Sequence, residues 1–276
     1  MSNRNYEQSD IENERKILTV PGLSGLVNMG NTCYMNSALQ CISATGVLVS
    51  YMYNGKFYDD LLENSKMIVA KKERKRTGID DDVDITVDAK LIKKEFQNTI
   101  TYNLYKLIRG MWNGNHEIVP KTFKKLIGEK NTEFLGYVQN DSQELMSFIL
   151  DRIHEELKMP VDITYNNVPN NVNEYKNKRK EYNTKKKSGN IDLTILCTEL
   201  KKCKNTQTYI IYKYLKYWKK QVQSNYSIIN ELFMGMYCTE NSCSECNKKS
   251  IIFEPYNILH VPIDDRDSDL ESCIQK

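Results

Sequence analysis

Leu145, Ile149, Ile153 and Glu156 recur at helical spacing across residues 142–157. Met146 and Leu150 widen the same stripe, and Pro160 ends it. A helix of that length with one apolar face has to be covered by other elements, so the chain must build a core around it. The covering elements are also legible. Ile100, Leu104, Leu107, Ile108 and Met111 share the face of a second helix, and Met35, Ala38, Leu39 and Ile42 mark a third that runs to about Ala44. Phe123, Leu126 and Ile127 predict a short helix after Pro120, and the aromatic stretch 209–218 predicts another. Residues 251–253 and 257–263 are β-like, rich in Ile, Phe and Val. A helical beginning that turns toward sheet predicts an α+β fold.

Two charged stretches interrupt this pattern. Near 66–90 a basic run, Lys71 to Arg76, precedes an acidic one of Asp80, Asp81, Asp82 and Asp84, and such blocks predict a solvated loop. Near 166–205 a segment begins rich in Asn and Lys, with Lys176, Lys178, Arg179, Lys180 and Lys185 to Lys187. That composition predicts a mobile insertion. Residues 1–16 read as a disordered tail of mixed charge, with order beginning across 17–26.

The 276 residues suffice for one sizeable domain or two small ones. With 39 basic and 36 acidic side chains the net charge is only +3, which gives no reason to expect nucleic acid as a partner. The basic runs also lack a recognisable nucleic-acid fold to present them. No stretch approaches the roughly 18 apolar residues of a membrane span, and the N-terminus has no apolar signal region. Eight cysteines in such a chain read as thiols, metal ligands or a nucleophile, and predict an intracellular location, cytoplasm or nucleus.

Cys33 is the candidate nucleophile. The turn-rich residues 28–31 and an N-cap at Thr32 place it in the first turn of the third helix. Free N–H groups and the positive end of the helix dipole favour a thiolate, the species that attacks a carbonyl carbon. Asn28, five residues earlier across the turn, is the candidate donor to the oxyanion. On these residues alone, a small apolar thiol packed under a loop is the competing reading. Further on, Asp141 reads as an N-cap with Glu144 three residues later, a capping-box spacing.

The run Gly30-Asn31-Thr32-Cys33-Tyr34-Met35-Asn36-Ser37, followed by Leu39-Gln40, resembles the cysteine box of the ubiquitin-specific proteases. Residues 134–146, with Gln139-Asn140-Asp141-Ser142-Gln143-Glu144, resemble the family's second block, and residues 118–128 resemble its lead-in. Residues 227–235, Cys243-Ser244-Glu245-Cys246 and residues 253–273 resemble the family's fingers region. The resemblance spans 22–273 apart from the two charged stretches. It implies a papain-like cysteine protease of thumb, palm and fingers over 17–276, incomplete, with the C-terminal part of the sheet missing. It also implies a thiol-dependent deubiquitinase with Cys33 as nucleophile and Asn28 at the oxyanion. Asp141, Gln139 and Glu144 would then line the channel for the ubiquitin tail. The implied partners are ubiquitin and ubiquitinated proteins, without nucleic acid or membrane.

No cofactor is required by that chemistry. Cys243 and Cys246 form a zinc half-site, but tetrahedral zinc needs four ligands, so bound zinc is not expected. Cys238 and Cys273 are the substitutes at hand, and neither has standard spacing. Of the three histidines, His116, His154 and His260, none stands in the setting of the family's histidine box, which the resemblance places beyond Lys276. Two readings stay open: an enzyme fragment whose base lies in another segment, and a ubiquitin-binding remnant that does not turn over.

Overall fold

The computed structural model describes residues 22, 24–78, 87–113, 117–188, 193–203, 206–246 and 249–260. These are mostly helical, with one small two-stranded sheet. The chain divides into two compact units, Met1–Met159 with Ser227–Leu232, and Pro160–Tyr226 with Phe233–Lys276.

The first unit contains α1 (Cys33–Ala44), α2 (Gly46–Tyr53), α3 (Phe57–Thr77), α4 (Ala89–Gln97), α5 (Ile100–Trp112), α6 (Lys121–Lys130) and α7 (Ser142–Leu157). Helix α7 is central, packed by α1, α3 and α5. Leu145, Ile149 and Ile153 are fully buried, and the five apolar residues expected on α5 are buried. Each such side chain contributes roughly 1.5–3 kcal/mol. Met146 and Leu150 are only half-buried and edge the stripe. Glu156 is the polar member of that stripe and is 5% exposed. Its two oxygens accept from the N–H groups of Ile100 (3.0 Å) and Thr101 (2.8 Å) and from the Thr101 hydroxyl (2.8 Å). One helix thus caps another, satisfying donors that α5 cannot satisfy internally.

The basic run expected in a loop is helical instead. It lies on α3, whose Phe57, Leu61, Ser65 and Val69 are buried at intervals of four residues. The charges occupy the other sides, where Arg76 pairs with Glu73 and Lys72 pairs with Glu95 of α4. A sparse apolar stripe within a dense charge run hides the helical period. The acidic run 80–84 lies outside the described residues.

In the second unit, residues expected to form a mobile insertion form α8 (Asn170–Lys187), packed on α9 (Thr194–Cys203) and α10 (Thr206–Val222). Two residues anchor α8. Val172 and Tyr175 are buried, and the Tyr175 ring meets Tyr212 edge-on at 5.1 Å. Its lysines pair along the helix, Lys178 with Glu174 and Lys185 with Glu181. Strand β1 (Gly235–Ser242) pairs antiparallel with β2 (Lys249–Tyr256), with Cys238 opposite Phe253. Residues 257–260, expected to be β-like, carry no strand, and 261–263 lie outside the described residues. The polar end of β1 gave no strand signal in the sequence.

Candidate active site

The turn before α1 is built on two left-handed residues, Gly30 (φ 97°) and Asn31 (φ 51°). Glycine takes the first without a Cβ penalty, and asparagine tolerates the second better than most residues. Asn28 holds the turn from inside. Its Oδ1 accepts from the Gly30 N–H (3.1 Å), the Thr32 N–H (3.1 Å) and the Thr32 hydroxyl (3.0 Å). Thr32 is buried and its hydroxyl accepts from the Met29 N–H (3.0 Å). Thr32 therefore occupies the expected N-cap position without capping: its side chain serves the turn and makes no bond to α1. The first turn of α1 is left without a side-chain cap, and its first residue, Cys33, is exposed.

Asn36 and Gln40 fix the direction of α1. Asn36 donates to the carbonyls of Leu26 (3.1 Å) and Val27 (3.2 Å), and Gln40 donates to that of Ser24 (3.1 Å). That segment is tied in turn to Ile118 by a parallel bridge from Leu26.

Facing Cys33 is the loop that leads into α7. Asp141 is its N-cap, as expected, with extended backbone and an Oδ1 that accepts from the N–H groups of Gln143 (2.6 Å) and Glu144 (3.3 Å). The reciprocal half of the capping box is not made, and Glu144 is exposed. Cys33, Tyr34 and Ser37 on one side and residues 139–142 on the other line an open groove of about 580 Å³. The fold therefore brings together Cys33, Gln139 and Asp141. Asn28 and Glu144 are not among the lining residues. With its Oδ1 engaged in the turn, Asn28 keeps its amide N–H groups free of any bond to the described residues, and the residue is exposed.

Three side chains whose contacts the sequence does not disclose join the two walls. Asn31 donates to the carbonyl of Tyr137 (3.1 Å), and Asn140 donates to the Tyr34 hydroxyl (3.3 Å). Lys124, buried on α6, donates to the Tyr34 hydroxyl (3.1 Å) and to the Phe134 carbonyl (2.6 Å). A lysine beside Phe123 reads as a solvated neighbour of an apolar face. Only the tertiary arrangement turns it inward.

Neither described histidine, His154 or His260, is among the groove's lining residues. His154 on α7 has Nδ1 at 2.7 Å from the Ser227 hydroxyl, which donates to Asn230 (3.0 Å). Burial pushes its imidazole below the ordinary value, against Glu155, Asp151 and Asn230, which favour the cation, and with Lys158, which opposes it. A lowered folded pKa means that acid protonates the unfolded chain first. Stability is therefore full above the ordinary histidine range and falls as pH drops through the depressed value. Urea midpoints between neutral and mildly acid pH should fall for the parent chain and fall less for His154→Gln. His260 is exposed in the second unit, and His116 lies outside the described residues.

Cys243 and Cys246 lie in the turn between β1 and β2, both exposed. Backbone N–H groups of Cys246 and Glu245, and then the Cys246 side chain, hold the Cys243 thiol below its ordinary range. Among the described residues no three His, Cys, Asp or Glu side chains gather closely enough to hold a metal ion. The residues in view do not complete a four-ligand zinc site, and Cys273 lies outside them.

Residues 24–271 match the family described as ubiquitin carboxyl-terminal hydrolase. Ubiquitin carboxyl-terminal hydrolase 15 of Xenopus tropicalis is 29% identical over 94% of this chain and 20% of its own length. Ubiquitin carboxyl-terminal hydrolase 12 of Saccharomyces cerevisiae is 31% identical over 90% of this chain and 16% of its own. Ubiquitin carboxyl-terminal hydrolase 4 of Rattus norvegicus is 30% identical over 88% and 19%. The chain thus spans about a fifth of the length of the curated relatives it matches. No helix among the described residues is long and apolar enough to cross a membrane. The match over 24–271, reaching from before the Cys33 turn to beyond the hairpin, shows that the chain belongs to the ubiquitin carboxyl-terminal hydrolase family, that of the ubiquitin-specific proteases.

Proposed function

We propose that this chain carries the nucleophile and one groove of a thiol-dependent deubiquitinase, acting on the isopeptide bond at the C-terminal glycine of ubiquitin. The observation that carries the reading is the exposed Cys33 at the start of α1, in an open groove walled by Gln139 and Asp141. In this reading the Cys33 sulfur attacks the glycine carbonyl carbon while the Asn28 amide donates to the oxyanion. The C–N bond to the target lysine breaks, and the amine leaves with a proton. Water then cleaves the thioester, releasing a free carboxylate and restoring the thiol. Asp141, Gln139 and Glu144 hold the tail, with Asp141 placed for its backbone and basic side chains. Residues 17–276 would belong to a papain-like domain of thumb, palm and fingers, with insertions near 66–90 and 166–205. Partners would be ubiquitin and ubiquitinated proteins inside the cell, and the chemistry needs no cofactor.

A second reading, a ubiquitin-binding surface without turnover, is favoured by one observation: among the described residues no histidine lines the groove. Ubiquitin bearing a C-terminal electrophile separates the two. Covalent capture, lost in Cys33→Ala, supports the enzyme. Reversible retention without capture supports the binder.

A further inference from the structure

We propose that Lys124 is a positioning residue, whose buried ammonium fixes the 134–140 loop against Tyr34 and so sets where the groove wall stands relative to Cys33. The proposal rests on the deubiquitinase reading for its consequence in activity but not for its geometry.

An ammonium group is costly to bury unless its donors are met. Lys124 is 5% exposed, and no carboxylate of the described residues pairs with it. Two of its three donor positions go to the Tyr34 hydroxyl and the Phe134 carbonyl. Its nitrogen also stands 5.7 Å from the centre of the Tyr34 ring and 5.9 Å from that of Tyr137, within cation–π range. All four contacts belong either to the residue after Cys33 or to the facing loop. Asn140 joins the same junction through the Tyr34 hydroxyl.

Apart from the buried Phe134 ring, 5.5 Å from that of Phe148, and the Asn31 bond to the Tyr137 carbonyl, the loop has little else to hold it. Leu135, Tyr137 and Val138 are exposed by 60%, 50% and 69%, so apolar burial does not fix the loop beyond Phe134. Gly136 is left-handed (φ 74°), and residues 135–141 form no helix or strand. The anchors are at Phe134, Tyr137 and Asn140, and Lys124 touches the first two directly and the third through Tyr34. Without the ammonium, the Phe134 carbonyl and the Tyr34 hydroxyl lose a donor together. Gln139 and Asn140 then lose their fixed placement against Cys33, while Asp141 stays held by its cap on α7 and the thiol itself is untouched.

The test uses the full chain and two variants. Lys124→Met keeps the length of the stem and removes every donor. Tyr34→Phe keeps the ring and removes only the hydroxyl, and it carries the same readouts if Lys124→Met does not fold. Amide hydrogen exchange across 134–140 is expected to accelerate about tenfold or more in Lys124→Met, and less in Tyr34→Phe, with α5 amides unchanged. Capture by ubiquitin bearing a C-terminal electrophile is expected to need a higher probe concentration for half-maximal rate, with the rate at saturation retained. Unchanged exchange in the folded variants would overturn the proposal, as would a loss confined to the saturating rate. If the parent chain is not captured at all, the deubiquitinase reading fails, and the exchange arm still decides the clamp.

Discussion

Changing Glu156 to alanine is expected to lower the stability of the first unit by about 2–6 kcal/mol, from roughly 1–3 kcal/mol for each of the two buried amide donors left without an acceptor. The carboxylate accepts three bonds at the N-terminus of α5, and its removal leaves the Ile100 and Thr101 N–H groups buried without acceptors. Burial pushes its carboxyl above the ordinary range, opposed by the Thr101 and Ile100 bonds and then by Arg152. The neighbouring residue supplies the control. Glu155 makes an exposed pair with Lys158, so Glu155→Ala should cost under about 1 kcal/mol. Denaturant midpoints of the two variants check the prediction, and equal losses would contradict it.

Replacing Asn28 with aspartate is expected to leave the fold close to that of the parent and to slow acylation of Cys33 by about 10²–10³-fold, the usual cost of one oxyanion donor. The substitution isolates one end of the side chain. An aspartate oxygen can keep the bonds from Gly30 and Thr32 that hold the turn, so the Gly30–Asn31 geometry persists. Only the N–H donors are lost, and a negative charge replaces them where negative charge would develop. Single-turnover release from a ubiquitin C-terminal amide fluorophore measures the step. Equal rates at equal thermal midpoints would remove Asn28 from the oxyanion role. A collapsed midpoint would show that the turn, not the donor, had been lost.

The positions of these groups were unevenly legible in the sequence. Helices α1, α5, α6 and α7 could be read because apolar residues at helical spacing report burial directly. Glu156 could even be seen in step with that stripe, but its partners are some 55 residues away in α5, and no local pattern announces a cap supplied by another helix. Lys124 was hidden for the same reason. Cys33 and Asp141 were legible because turn chemistry and capping are local. Thr32 shows the limit of that logic: the residue type predicted a cap, and the competing demand of the Asn28 turn took its hydroxyl. Helix α8 is not legible in the sequence because two buried side chains, Val172 and Tyr175, anchor an otherwise polar segment. Composition averages such anchors away.

Cys41 lies eight residues beyond Cys33 on α1, and both thiols are exposed. The central claim is that place in the groove, not exposure, makes Cys33 the nucleophile, and this pair tests it within one molecule. Peptide mapping after brief reaction with ubiquitin bearing a C-terminal electrophile should find the adduct on Cys33 alone. A small alkylating agent should mark both. Ubiquitin adducts spread evenly over the two thiols, or on Cys41 with Cys33 unmodified, would contradict the account.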